Sequence, residues 1–373
     1  MKFIPVNVPK LHKLEKKYIN ECISTNWISS EGKFVKLFEK DFAKYNKRKY
    51  GIAVSSGTAA LEVAIKSLNL KKNSEIIIPA FSIISTALAV VKNNLKPILV
   101  DCDIDTWNVN PDDVIKKISK KTSAIILTHI YGLPVDLRKI LKVSKKKNIK
   151  IIEDAAEVIG LNYNNKICGS FGDVSIFSFY ANKHITTGEG GMILTNDPII
   201  HEKSKSLRNL SFSKSYFDRF NHTDLGWNYR LTNLQAAMGY GQLKKIKWIV
   251  KKKREIGNKY YKRLNNLKDV FLQKKITKYA KNIYWVFGLV LKKSSRYSRD
   301  EIMKKLLKKK IETRPFFLPM HKQTIFKKMN LFKNIKLPNA EFISKNGFYI
   351  PSGIGIKNKE ISFVINNLKK ILY

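Results

Sequence analysis

"YGIAVSSGTAALEVAIKSLNLKKNSEIIIP", residues 50–79, holds the plan of the fold. "YGIAV" (50–54) is a short, apolar, strand-like run. "TAALEVAIKSL" (58–68) repeats apolar residues at helical spacing, and "EIIIP" (75–79) is strand-like again. Strand, helix and strand in this order predict parallel strands joined by a crossover helix. The same alternation continues through "PILV" (97–100), "SAIILT" (123–128) and "IKIIE" (149–153), with helical segments in the gaps. "DVSIFSF" (173–179) and "GMILTN" (191–196) stand closer together and leave little room for a helix. The expected fold class is therefore α/β, with a large mixed, mostly parallel sheet.

After about residue 231 the pattern changes. The stretch 232–264 reads as one long amphipathic helix leading out of the sheet. An aromatic strand, "IYWVFGLVL" (283–291), a helix near 299–310 and a last helix ending at Tyr373 follow. The expected division is an N-terminal arm and large domain over 1–245, and a small C-terminal α+β domain over 246–373.

Hydrophobic residues make up 44% of the 373, enough for a sizeable core. No run approaches the roughly 20 apolar residues of a membrane span. The opening "MKFIPVNVPK" lacks the apolar centre of a signal peptide. The three cysteines, Cys22, Cys102 and Cys168, are far apart and odd in number. They point to a reducing, cytoplasmic setting with neither a disulfide framework nor a metal cluster. The formal charge is +42, carried almost wholly by lysine, with only 10 arginines. Runs such as "KKISKK" and "KKLLKKK" interleave with Ile and Leu like solvated helix faces. No nucleic-acid-binding motif accompanies the charge, so nucleic acid is not the expected partner. Attraction of a phosphate-bearing substrate fits better.

Polar groups cluster where predicted strands end, the edge at which open parallel sheets bind ligands. Ser55, Ser56, Gly57 and Thr58 sit between a strand and a helix. They suit either an anion cradle or ordinary helix capping. Asp154 and Glu157 follow the strand at 149–153. A carboxylate there can face a positively charged ring nitrogen, or simply favour a helix start. In "FSFYANKHITTGEGG" (177–191), Lys183 reads as sitting at the end of a buried strand, with Ser178 five residues before it. Partial desolvation makes a lysine a nucleophile toward carbonyl carbon. "GWNYRLTN" (226–233) is a polar, aromatic loop that suits a helix cap or a subunit contact. A phosphate cradle, an acidic residue after a strand and then a lysine, in that order, make a sensible pyridoxal phosphate site. That cofactor needs a phosphate clamp, a carboxylate at its ring nitrogen and a lysine for the Schiff base.

These residues resemble the DegT/DnrJ/EryC1/StrS family of fold-type I sugar aminotransferases. "SSGTAAL", the stretch 153–197 and "GWNYRLTNLQAAMG" carry the likeness, which runs from "NWISSEG" (26–32) to "ETRPFFLPMH" (312–321). The resemblance implies pyridoxal 5'-phosphate and L-glutamate as amino donor. It also implies a homodimer with shared active sites. Lys183 would carry the cofactor and shuttle the proton, and Asp154 would pair with its ring nitrogen. Glu157 would lie near its phenolic oxygen. Ser56, Gly57, Thr58 and Ser178 would hold its phosphate, with Asn228 from the neighbouring subunit. Trp27, Ser29, Arg314 and His321 would line the sugar-nucleotide pocket. The family's aromatic stacking position falls on Ile83, leaving Ile83 or Phe81 against the ring. The implied substrate is a nucleotide-linked 4-keto-6-deoxyhexose, with GDP-4-keto-6-deoxymannose ahead of UDP- or dTDP-linked sugars. A 3-dehydratase on the same scaffold is disfavoured, because Lys183, not His184, holds the aligned place. A non-catalytic binding relative is disfavoured because Lys183, Asp154 and Ser178 are all kept.

Overall fold

The computed structural model describes residues 2–373. Seven strands form the large sheet: β1 (Tyr50–Val54), β2 (Glu75–Pro79), β3 (Lys96–Val100), β4 (Thr122–Thr128), β5 (Lys150–Asp154), β8 (Val174–Ser178) and β9 (Gly191–Thr195). A two-stranded hairpin, β6 (Asn162–Tyr163) with β7 (Lys166–Ile167), lies in the chain between β5 and β8. The spatial order of the large sheet is β1-β9-β8-β5-β4-β2-β3. Only β9 runs against its neighbours, pairing antiparallel with β1 and β8. The sheet is thus mixed and mostly parallel.

Alternation along each strand divides the core between the sheet's faces. Ile76, Ile78, Ala124, Ile126 and Ile152 join one buried cluster, while Ile77, Ile125, Leu127 and Ile151 join the other. Both clusters are deep, so the strands read as continuous apolar runs. A third cluster packs helices onto a four-stranded antiparallel sheet near the C-terminus. That sheet is β10 (Val270–Leu272), β11 (Phe287–Leu291), β12 (Arg314–Pro315) and β13 (Gly347–Ile350), in the order β10-β11-β13-β12. Among the described residues no helix is long and apolar enough to cross a membrane.

Three expectations are corrected. Lys183 does not end a strand: β8 stops at Ser178, and the lysine lies in the connection to β9. The pairing of Ser178 with Gly191 closes the ladder there, and the intervening residues form a loop above it. The long helix is two helices, Asn233–Leu243 and Ile246–Leu264, with Lys245 at φ −113° and ψ 10° between them. The first is buried nearly all round, and Gly239 and Gly241 lie against Phe38 and Glu15. The second is amphipathic, so the bend lets each follow its own surface. The aromatic strand begins only at Phe287. Residues 282–286 instead form a buried strap, with Tyr284 at φ +55° and its amide donating to Asn282 Oδ1 at 2.6 Å.

Gly257, on the second helix, faces that strap. A methyl group there would fall inside the van der Waals surface of the Tyr284 ring. Alanine favours a helix by about 1 kcal/mol over glycine, but overpacking a core costs about 1–3 kcal/mol. Gly257→Ala should therefore lower the melting temperature, and a raised one would show that the strap yields freely.

Candidate active site

The carboxyl edge of the large sheet sets the first groups. Parallel register places Thr128, the last residue of β4, beside Asp154, the last of β5. Asp154 is buried; its Oδ2 accepts from Thr128 Oγ1 at 3.3 Å and its Oδ1 from the Ala156 amide at 3.1 Å. Burial pushes its pKa up, although those bonds and Lys183 pull it back. Three residues on, Glu157 is also buried, and its Oε2 accepts the Tyr131 amide at 2.8 Å. Burial pushes Glu157 up to about 7.

Lys183 reaches this pair from the loop between β8 and β9. Its Nζ lies 3.5 Å from Glu157 Oε1 and 3.7 Å from the centroid of the Trp285 ring. Its side chain is 11% exposed. Burial lowers its pKa, opposed by the charges of Glu157 and Asp154. An amine shifted this way loses its proton more readily than a surface lysine does.

The third part is the start of helix Gly57–Ser67. Ser56 caps it, with Oγ accepting the Ala59 amide at 3.0 Å. The first amides of a helix have no acceptor within it, so they are open to an anion. Thr58 Oγ1 and Ser85 Oγ lie 2.7 Å apart beside them. Ser178 faces Gly57 so closely that a Cβ on the glycine would sit 2.8 Å from the Ser178 Cβ. The glycine is what lets the helix start and the strand end meet.

These groups line one cavity of about 350 Å³. Its donors and charges fit pyridoxal 5'-phosphate: open amides and hydroxyls at one end, a buried carboxylate behind, and a buried amine alongside. Ile83 lines the cavity, whereas Phe81 is buried in an aromatic cluster with Tyr131, Phe316 and Phe317. Of the two stacking candidates, only Ile83 lines the cavity.

The remaining predicted residues are not brought to this cavity within one chain. Asn228 is exposed, paired by a bridge to Asn209. Trp27 and Ser29 are exposed in the N-terminal arm, and their carbonyls accept from Asn233. Arg314 is exposed on β12 and pairs with Glu312 at 2.6 Å. It does sit opposite Tyr349, which lines the cavity. His321 is buried, with Nε2 2.8 Å from Glu341 Oε1. Sequence reasoning missed Thr128, Ser85, Trp285, Phe317 and Tyr349. The rule that strand ends carry chemistry could have found Thr128. The aromatic residues come from far along the chain, and no local pattern marks them.

A second buried cluster, His129, Glu153 and Cys168, has donor atoms within 4.8 Å of one another. Two of its three groups are already hydrogen-bonded. His129 Nδ1 accepts the Val135 amide at 3.1 Å, so Nε2 carries the proton and donates to Glu153 at 3.1 Å. Glu153 also accepts the amides of Gly169 at 2.6 Å and Phe171 at 2.8 Å. His129 and Glu153 thus form a hydrogen-bonded brace behind Asp154.

The family model for DegT/DnrJ/EryC1/StrS aminotransferases matches residues 9–369. A GDP-perosamine synthase of Escherichia coli O157:H7 is 37% identical, over 99% of each chain. The GDP-perosamine synthase of Vibrio cholerae is 35% identical, over 98% of each. Among solved structures, Helicobacter pylori PseC, an aminotransferase of pseudoaminic acid biosynthesis, superposes with TM-score 0.94 at 25% identity. That match covers 100% of this chain and 99% of the other. A GDP-4-keto-6-deoxymannose-3-dehydratase with bound GDP-perosamine superposes with TM-score 0.89 at 26% identity, over 98% of this chain and 100% of the other.

A carboxyl raised to about 7 holds its proton through a pH range in which surface glutamates are ionised. In the cofactor-free chain, infrared difference spectra should show one protonated-carboxyl band fading as pH rises through about 7. Glu157→Gln should abolish it; a band that persists in the variant would assign it elsewhere.

Proposed function

The chain belongs to the DegT/DnrJ/EryC1/StrS aminotransferase family, and on that premise we propose how its cavity carries out transamination of a nucleotide sugar. The protein is a pyridoxal-phosphate-dependent sugar 4-aminotransferase of the GDP-perosamine synthase type. Its substrate is a GDP-linked 4-keto-6-deoxyhexose, and L-glutamate is the proposed amino donor. The observation that carries the reading is the Lys183 amine, buried 3.5 Å from Glu157 in the cavity that Asp154 and the helix start also line.

Pyridoxal phosphate, when bound, supplies an aldehyde that takes up amines and a ring that accepts electrons as the neighbouring C–H bond breaks. The protein's part is binding, orientation and proton control. The amides of Gly57 and Thr58, with the Thr58 and Ser178 hydroxyls, would hold the phosphate, and Ser56 fixes that helix start. Asp154, aimed by Thr128 and Ala156, would keep a proton on the ring nitrogen. Glu157 would hold the proton near the phenolic oxygen, and Ile83 would pack against the ring. Lys183 Nζ would take a proton from carbon and return it, which its lowered pKa favours. His184 does not line the cavity, which leaves the dehydratase reading without its base.

The second subunit enters through exposed apolar surface. Trp27, Ile28, Tyr216, Phe217, Phe220 and Leu225 are all more than half exposed, more than a monomer needs. A homodimer would cover them and bring Asn228, and with it residues of the arm, to the neighbouring cavity. Trp27, Ser29, Arg314 and His321 remain the proposed sugar-nucleotide contacts, and the division at residue 245 remains the proposed domain boundary. A cytoplasmic location goes with the three cysteines, all free and buried.

Borohydride treatment of the holoenzyme should fix the cofactor to Lys183 and to no other lysine. Lys183→Ala should lose about a thousandfold or more in turnover. A label elsewhere, or near-normal activity, would overturn the assignment. Given GDP-, UDP- and dTDP-linked 4-keto-6-deoxy sugars with glutamate, the enzyme should aminate the GDP sugar with the highest kcat/KM. Preference for another nucleotide, read by mass spectrometry, would remove the GDP assignment.

A further inference from the structure

Behind the wall of the cavity lies a second buried lysine that the reaction above does not use. Lys253 is 3% exposed on helix Ile246–Leu264. Among the described residues it has no carboxylate partner. Its Nζ donates to two carbonyls, Trp285 O at 2.8 Å and Ser352 O at 2.7 Å. Ser352 is itself tied to the strap's end, its Oγ accepting the Phe287 amide at 3.1 Å. One turn along the same helix, Gly257 makes room for Tyr284. The Trp285 side chain is anchored too: Nε1 donates to Asn182 O at 2.9 Å, next to Lys183 in sequence. The indole is thus held at its backbone by one lysine and presents its ring to another, 3.7 Å from the Lys183 amine.

We propose that Trp285 holds the Lys183 amine in its charged, inward-pointing state through the ring face, and that Lys253 is the positioning residue that fixes Trp285 there. A cation over an indole face is attracted by the ring quadrupole, most strongly when water is excluded. The charges that act on Lys183 are those of Glu157, 3.5 Å away, and Asp154. Its sequence neighbour His184 is fully buried with neither ring nitrogen partnered, and burial keeps it neutral. Tyr349 lines the same cavity, and burial pushes its phenol up to about 12, so it stays neutral. The two carboxylates and the indole therefore share the work of keeping a buried ammonium. The carboxylates can themselves take up protons, whereas the indole cannot, so its share is constant across pH. The Lys253 anchor keeps both of its acceptors in either protonation state. Burial pushes that amine down to about 7. A neutral amine still has two N–H groups for its two carbonyl acceptors.

The test is competitive acetylation of the full-length, cofactor-free chain over a pH series, with the Lys183 peptide read by mass spectrometry. Trp285→Leu should lower the apparent pKa of Lys183 by about one unit. Trp285→Phe should lower it less, keeping a weaker ring but losing the Nε1 anchor. Lys253→Met should shift it the same way by less than Trp285→Leu. Lys251→Met, at an exposed position of the same helix, should leave it unchanged. If Trp285→Leu does not fold, as judged by circular dichroism, Trp285→Phe decides. An unchanged Lys183 titration overturns the proposal. So does a rise, which would mean the indole acts by excluding water. A shift with Trp285→Leu but none with Lys253→Met removes Lys253 from its role. In the cofactor-loaded enzyme, the acidic limb of kcat/KM for the keto sugar, whose half-reaction begins with Lys183 free, should move down in the same variants. That second readout rests on the aminotransferase reading, whereas the acetylation series does not, so the two can fail separately.

Discussion

A lysine ammonium taken out of water loses hydration that its new surroundings must replace. Lys183 sits at the point where three separate parts of the chain meet that demand. Glu157 comes from the turn after β5, Asp154 from the strand itself and Trp285 from a strap about a hundred residues later. None suffices alone, since even the Glu157 carboxylate stands 3.5 Å away. The balance leaves an amine that is neither a fixed cation nor a plain nucleophile. A group that must accept and return a proton within one turnover needs that intermediate state.

The scaffold delivers these groups by register. Parallel pairing of β4, β5 and β8 aligns their carboxyl ends, so Thr128 and Asp154 emerge side by side. The first amides of helix Gly57–Ser67 arrive at the same edge because β1 lies in the same sheet, two strands from β8. The brace joins Glu153, one residue before Asp154 on β5, to His129, one residue past the end of β4. It spends buried polar groups on one another and on backbone amides, leaving Asp154 free to face the cavity.

Much of this was legible in the chain. Strands 50–54 and 75–79 coincide with β1 and β2, and the other predicted strands of the large sheet differ by only a residue or so at their ends. Long Ile- and Val-rich runs flanked by turns leave little choice there. The segments that went astray are those where tertiary contact overrides periodicity. Lys183 follows an apolar run, yet the β8–β9 ladder closes before it. Helical spacing continues through Lys244 and Lys245, although the surface beneath changes. Trp285 sits inside an aromatic run with every local mark of a strand. Asn282 and Lys253 fold it into a strap through bonds that sequence spacing does not encode. The contacts proposed for Trp27, Ser29, Asn228, Arg314 and His321 involve a second subunit or a ligand, which one chain cannot display.

Consecutive acids close β5, and the pleat sends them to opposite sides of the sheet. Glu153 is satisfied by a histidine and two amides, while Asp154 opens onto the cavity. Inserting a single residue early in this strand would put Glu153 at the ring pocket and Ile152 into the brace, whereas deleting one would put Asp154 into the brace and Ala155 at the pocket. Such an indel could leave the apolar count of the strand almost intact while destroying both arrangements together. The length of β5 is therefore as much a part of the chemistry as the identity of its last residue.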